Sequence, residues 1–250
     1  MKEACILHIP HSSLTIPTSV LCQFTCPSPV LAQNMLALTD WKTDELFDVP
    51  GFSNRLIFPV NRLVCDPERF RDDCEESMVL RGMGAVYTHD AWRHKIRTAS
   101  DAQRELLLKT YYDPHHQALE QMSRQVLAQY GCCLVLDCHS FPEFPLPYEP
   151  VQVYPRPDFC LGTDPAHTPP VLVERMTAFL QERGYTVSLN TPFAGTLLPL
   201  SLMDNPHLFG IMIEVNRRLY MKSNVFCKNY RFPQTKQTLS KLVQLAADIH

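Results

Sequence analysis

The chain has 250 residues, 45% of them hydrophobic, with ten cysteines, 21 prolines and a formal net charge of −3. That length buries the core of one large domain, taken as residues 1–250, and the lack of a basic excess excludes nucleic acid as the expected partner, because such binding rests on neutralising phosphates. No apolar stretch approaches the roughly 20 residues of a membrane span, and Met1-Lys2-Glu3 runs straight into an apolar segment without a signal-peptide layout, so a cytoplasmic protein that does not enter the membrane is expected.

The cysteines form no C-x-x-C pair, and Cys132-Cys133 lies inside an apolar run. They read as reduced core thiols, since free cysteine packs as a small hydrophobe and disulfides are rare in the cytosol. Few glycines among many prolines mean stiffened loops.

Taken in order, Ala4-Cys5-Ile6-Leu7 reads as a first buried strand ending in His8-Ile9-Pro10-His11-Ser12-Ser13. After a Pro-rich stretch, Thr39-Asp40 followed by Asp44-Glu45 has the capping and first-turn acids of a helix start. Arg55-Leu56-Ile57-Phe58 is a strand candidate that leads into Asn61-Arg62, and the charged residues 72–76 read as a solvated loop. Residues 100–130 follow a helical period with Ser100 as cap, and Asp113-Pro114 is expected to break them into two helices. Cys132-Cys133-Leu134-Val135-Leu136 is a strand buried on both faces that ends in Asp137-Cys138-His139-Ser140. Residues 142–170, rich in proline and without a period, are expected to form a rim loop or lid. An amphipathic helix at 171–183 closes at Gly184, a strand follows at 185–189, a turn-forming loop at 190–196, and a buried strand at 208–213 runs into Glu214. A helix at 235–250 ends the chain. Strands interleaved with helices predict an α/β fold: a single domain with a mainly parallel or mixed central sheet flanked by helices.

Ligands of such sheets gather beyond the strand carboxyl ends, where two strands here each deliver a histidine. Hydrolytic zinc takes three protein ligands and leaves a place for water; His11 and His139 supply two, and Asp40 is the chosen third, with Asp44 one turn later as the alternative. Glu214 follows a buried strand directly. A carboxyl desolvated there has its pKa raised and suits proton transfer, the competing reading being an ion pair with Arg217 or Arg218. Arg62, Arg69 and Arg217 gather at the same strand ends, where guanidinium groups would hold an anionic substrate or an oxyanion, although for Arg69 a salt bridge with Asp66 or Glu68 is an equal reading. His115 and His116, adjacent on a helix, cannot both reach one ion, which leaves His116 as an outer donor. A Cys138 nucleophile is disfavoured because its neighbour His139 points to the opposite face of the strand.

As an ordered set, Ile9-Pro10-His11-Ser12-Ser13, Thr39-Asp40, Asn61-Arg62, Asp66-Pro67-Glu68-Arg69, Arg81-Gly82-Met83-Gly84, Tyr112-Asp113-Pro114-His115-His116, Asp137-Cys138-His139-Ser140, Asn190-Thr191-Pro192-Phe193-Ala194-Gly195-Thr196 and Glu214-Val215-Asn216-Arg217-Arg218-Leu219-Tyr220-Met221 resemble the N-formylglutamate amidohydrolase family. The resemblance spans nearly the whole chain. It implies a fold similar to the zinc carboxypeptidases and the aspartoacylase group. It also implies a Zn2+-dependent amidohydrolase acting on a small N-acyl amino acid such as N-formyl-L-glutamate. In such relatives an H-x-x-E motif supplies two ligands; Leu14 stands at the place of that acid here, which is why Asp40 enters. The resemblance further implies Glu214 as base, Arg62 as catalytic partner, and Asn61, Arg69, Asn190, Thr196, Arg217 and Tyr220 around the substrate. The alternatives are a deacylase for another N-acyl amino acid or peptide-like amide, and a non-catalytic binding protein that keeps the fold.

Overall fold

The computed structural model describes residues 2–223 and 225–248. Six strands, β1 (Cys5–Ile9), β2 (Arg55–Ile57), β3 (Cys133–Phe141), β4 (Phe159–Thr163), β5 (Val187–Leu189) and β6 (Leu208–Asn216), form one mixed sheet in the order β2-β1-β3-β6-β4-β5. Only the β4–β6 pairing is antiparallel. The helices are α1 (Thr18–Leu21), α2 (Ser28–Leu38), α3 (Thr43–Leu46), α4 (Asp101–Leu107), α5 (Asp113–Tyr130), α6 (Pro170–Gln181) and α7 (Phe232–Ala247).

Strand side chains alternate between faces, and the two faces of this sheet are unlike. On one, Cys5, Leu7 and Ile9, then Leu134, Leu136 and Cys138, then Ile211, Ile213 and Val215 are apolar from end to end and pack under α3, α6 and α7. The other begins apolar at Ile6, Val135 and Leu208, packed against Leu119 and Val126 of α5. Toward the carboxyl ends it turns polar, with His8 beside Asp137 and His139 beside Glu214 in the sheet register. All four are buried. The apolar layers hold the strands in place by removing hydrocarbon from water, about 1.5–3 kcal/mol for each large side chain; that rigidity lets four polar groups share one buried edge.

Several expectations change. The helix expected from Thr39 is interrupted: α2 ends at Leu38, Lys42 adopts a left-handed φ of 66°, and Asp40 lies in the turn before α3. Asp113-Pro114 does not separate two helices; a π turn at Leu108–Tyr112 joins α4 to α5, and the wider turn takes up the bond that Pro114 cannot donate. Ser100 caps α4 with Gln103 in a reciprocal box. Residues 142–170 are not loop throughout, because β4 lies among them and pairs with β6. Its mate β5 is shorter than expected, and the expected terminal helix begins earlier, at Phe232, with residues 249–250 outside the described range. No described helix is long and apolar enough to cross a membrane. Among the described residues no cysteine is in a disulfide.

Candidate active site

At the polar end of the sheet lies a cleft of about 290 Å³ whose wall includes His11, Asp40, Arg62, Glu68, Arg69, His139, Glu214 and Arg217. The rings of His11 and His139 are 5.1 Å apart. One ligand atom from each of His11, Asp40 and His139 lies within 4.8 Å of the others, and all three residues are buried.

Outer carboxylates decide which ring nitrogen each histidine offers. Nε2–H of His11 donates to Asp66 Oδ1 at 2.8 Å, and Nε2–H of His139 donates to Asp137 Oδ1 at 3.0 Å. Each ring therefore presents Nδ1 inward, where Asp40 Oδ2 lies 3.7 Å from that of His11 and 3.1 Å from that of His139. His11 Nδ1 is buried and has no hydrogen-bond partner. Bonds of about 2.0–2.2 Å in a tetrahedral array set ligand atoms roughly 3.3–3.6 Å apart, so an orphaned imidazole nitrogen facing a second imidazole and a carboxylate suits zinc. A histidine backed by a carboxylate is the usual outer arrangement of such ligands.

Asp40 is held on every side. Its backbone N–H donates to the His11 carbonyl at 2.9 Å, Ser140 N–H donates to Oδ2 at 3.1 Å, and Arg217 donates to Oδ1 at 3.1 Å. Burial opposes its charge, but the two histidines hold its pKa below the ordinary carboxylate value. The reverse holds for His139: burial works against a charged ring, yet Asp137 and Asp40 on either side raise its pKa well above normal.

Glu214 is 6% exposed, its Oε2 has no partner, and burial, with Asp40 adding, pushes its pKa up to about 8 against the pull of His139 and Arg217. It makes no ion pair with Arg217 or Arg218, which bond Asp40 and Asp158 instead.

The arginines divide into two kinds. Arg62 grips Asp66 through Nε at 3.2 Å and a terminal nitrogen at 2.8 Å, so the guanidinium at the cleft wall is already engaged. Arg69 Nε is buried without a hydrogen-bond partner but forms a long ion pair, 4.0 Å, with Asp66, the salt bridge that is its alternative reading, and its side chain is 21% exposed to the cleft.

Of the other residues expected near substrate, four do not line the cleft. Asn61 is buried and donates to Ser13 O and Thr39 Oγ1, which staples two loops together. The Asn190 side chain bonds Thr163 on the outer side of its loop. Thr196 lies beside Gly210 on the sheet. Tyr220 is fully buried and donates to Trp41 O. The motif 190–196 still reaches the cleft, through Pro192, Phe193 and Ala194. Asp44 lines a separate surface hollow. Cys138 turns to the apolar face, where burial raises its thiol well above the usual range. His116 donates to Pro67 O, and it is His115 that meets His8, with 2.8 Å between their Nε2 atoms.

In the sequence His8 and Asp137 carry no assigned role, and Asp66 and Glu68 enter only as salt-bridge partners of Arg69. Strand period two carried a signal for Asp137, since residues 137 and 139 of one strand must share a face. For Asp66 and Glu68, in a loop, no periodic signal exists.

Together the fold and this cluster define a class: an α/β protein with a histidine–carboxylate donor set and a buried carboxyl of raised pKa at its strand ends. The N-formylglutamate amidohydrolase family profile matches residues 3–221, and the chain belongs to that family. Its activity class is hydrolysis of carbon–nitrogen bonds other than peptide bonds. No curated protein matches the chain. Among solved structures, N-formylglutamate amidohydrolase from Ralstonia eutropha JMP134 is similar at 22% identity with a TM-score of 0.81, over 98% of this chain and 93% of that one. The gene product Atu2144 from Agrobacterium tumefaciens is similar at 18% identity with a TM-score of 0.69, over 100% of this chain and 94% of that one. At these identities the likeness is one of fold.

Proposed function

We propose that the protein is a zinc-dependent amidohydrolase that removes the N-acyl group, formyl above all, from an acidic amino acid such as N-formyl-L-glutamate. The reading rests on one observation: two inward imidazole nitrogens, Asp40 and the unpartnered Glu214 carboxyl share a single cleft. His11, Asp40 and His139 would hold Zn2+, which when bound supplies Lewis acidity and lowers the pKa of water to about 7. Glu214 takes the proton of the attacking water at its free oxygen as the C–O bond forms at the acyl carbon, and then gives that proton to the amide nitrogen, so that the C–N bond breaks and the amine leaves. Arg69, with donors to spare, pairs with the substrate carboxylate. Arg62 and Asp66 act behind it, holding the tautomer of His11. A cytoplasmic setting suits the reduced cysteines.

One feature favours the second reading, a deacylase for a larger acyl group. A neighbouring cavity of about 410 Å³ shares Ala37, Pro142, Leu146 and Arg217 with the cleft and adds Trp92, Phe144 and Met221. Turnover of N-formyl, N-acetyl, N-succinyl and longer N-acyl amino acids, with and without chelator, tests both. The proposal expects N-formyl-L-glutamate to be preferred, activity to vanish with chelator and Zn2+ to restore it. Activity indifferent to chelation, or no turnover by zinc-loaded protein, overturns it.

A further inference from the structure

Behind His139, on the side away from Asp40, lies a second convergence of ligand atoms. His8, Glu68 and Asp137 each place one within 4.8 Å of the others. His8 Nδ1 is 2.9 Å from Asp137 Oδ1 and 3.4 Å from Glu68 Oε1. His139 Nε2 closes the group at 3.0 Å from Asp137 Oδ1 and 3.9 Å from Glu68 Oε1. The two edges at His8 bracket the roughly 3.3 Å expected between ligand atoms of a tetrahedral first-row ion, while His139 borders the group as a hydrogen-bond donor. Glu68 Oε1 is buried and has no hydrogen-bond partner although it faces the centre of the group.

We propose that His8, Glu68 and Asp137 form a second divalent-cation site, distinct from the His11–Asp40–His139 set. One imidazole and two carboxylates suit a borderline ion such as Zn2+, Mn2+ or Co2+. Glu68 lies in the cleft wall and gives an ion its entry. Coordination asks His8 for the Nδ1 lone pair, which shifts its proton to Nε2, and His115 Nε2, 2.8 Å away, is placed to accept it. The cation would sit between the carboxylates of Glu68 and Asp137. The two sites meet at His139. A neutral imidazole coordinates through one nitrogen only, so with Nδ1 on the outer ion, Nε2–H still donates to Asp137, and the deep ion relies on its own three ligands.

The test is a Zn2+ titration of the metal-stripped full-length protein, its exposed cysteines Cys22, Cys74 and Cys227 alkylated, followed by elemental analysis after gel filtration. Two equivalents are expected in the wild type, one in Glu68→Gln and in His8→Gln, and one in Asp40→Asn. If His8→Gln fails to fold, Glu68→Gln at the cleft wall decides alone. A single wild-type equivalent untouched by Glu68→Gln overturns the site, as do two equivalents that both survive the Glu68 and His8 changes. A protein that binds no zinc overturns this site and the proposed function together. One equivalent lost in Glu68→Gln but kept in Asp40→Asn supports the deep site and overturns the outer ligand set.

Discussion

Arg217 donates to Asp40 Oδ1 at 3.1 Å across 177 residues of sequence, while Oδ2 of the same carboxylate faces both histidines. The guanidinium also donates to Ala37 O at 2.6 Å and Ser140 O at 3.3 Å, so it clamps the end of α2 to the end of β3. A carboxylate held this way keeps one oxygen aimed inward.

Arg217→Ala removes that clamp and leaves Asp40 free to rotate. Zinc affinity, read by competition with a chromogenic chelator, is expected to fall about 10–100-fold, the usual cost of losing an outer partner. Arg217→Lys should restore only part of it, since a point charge lacks the planar fork. Unchanged affinity in Arg217→Ala would mean that Asp40 is not a ligand.

Glu214→Gln preserves shape and hydrogen-bonding capacity but cannot take a proton. Zinc content should stay near that of the wild type while kcat drops roughly 100-fold or more. Full turnover would remove Glu214 from the chemistry.

Arg69→Ala should raise KM for a dicarboxylic substrate by about 10–100-fold with a smaller change in kcat, the pattern of lost ground-state binding. A neutral N-acyl amide should feel little of it. An equal loss for both substrates would place Arg69 in the scaffold beside Asp66.

A side chain at Gly162 would put its Cβ 2.3 Å from Gly195 O and 2.4 Å from Met212 Cε. Gly162→Ala must push the 190–196 loop off β4 and carry Phe193 out of the cleft wall. Overpacking of this kind costs about 1–3 kcal/mol, seen as a lower urea midpoint, and KM should rise roughly tenfold. Wild-type values for both would show that the loop has slack.

His116 is stacked on Tyr112 with ring centroids 4.1 Å apart, and burial lowers its pKa to about 4. The unfolded chain, with an ordinary value near 6.5, binds more protons than the folded one between those limits. Its contribution is thus complete above pH 6.5 and is lost as pH falls through about 4, on the order of 3 kcal/mol. Urea midpoints across this range should decline less steeply in His116→Gln than in the wild type; parallel profiles would contradict the assignment.

From the chain alone, elements whose burial is written in period two or period 3.6 were legible: β1, β3 and β6, the helix after Ser100, and the amphipathic α6. So were His11, His139 and Glu214, because each stands where an apolar strand ends and strand ends meet at one edge. What tertiary structure alone decided is which loop acid lies beside the two histidines and which arginine is hydrogen-bonded to Asp66. Asp40 and Asp44 look alike in sequence, and the left-handed turn at Lys42, not helical spacing, separates them. Arg62 and Arg69 look alike too, until Asp66 folds back to accept two hydrogen bonds from the first and to form only a 4.0 Å ion pair with the second. Asn61, Asn190, Thr196 and Tyr220 belong to motifs at the site yet brace it from outside. Local sequence encodes hydrophobic burial one element at a time, whereas the partner of a polar side chain is set by contacts between segments far apart in the chain.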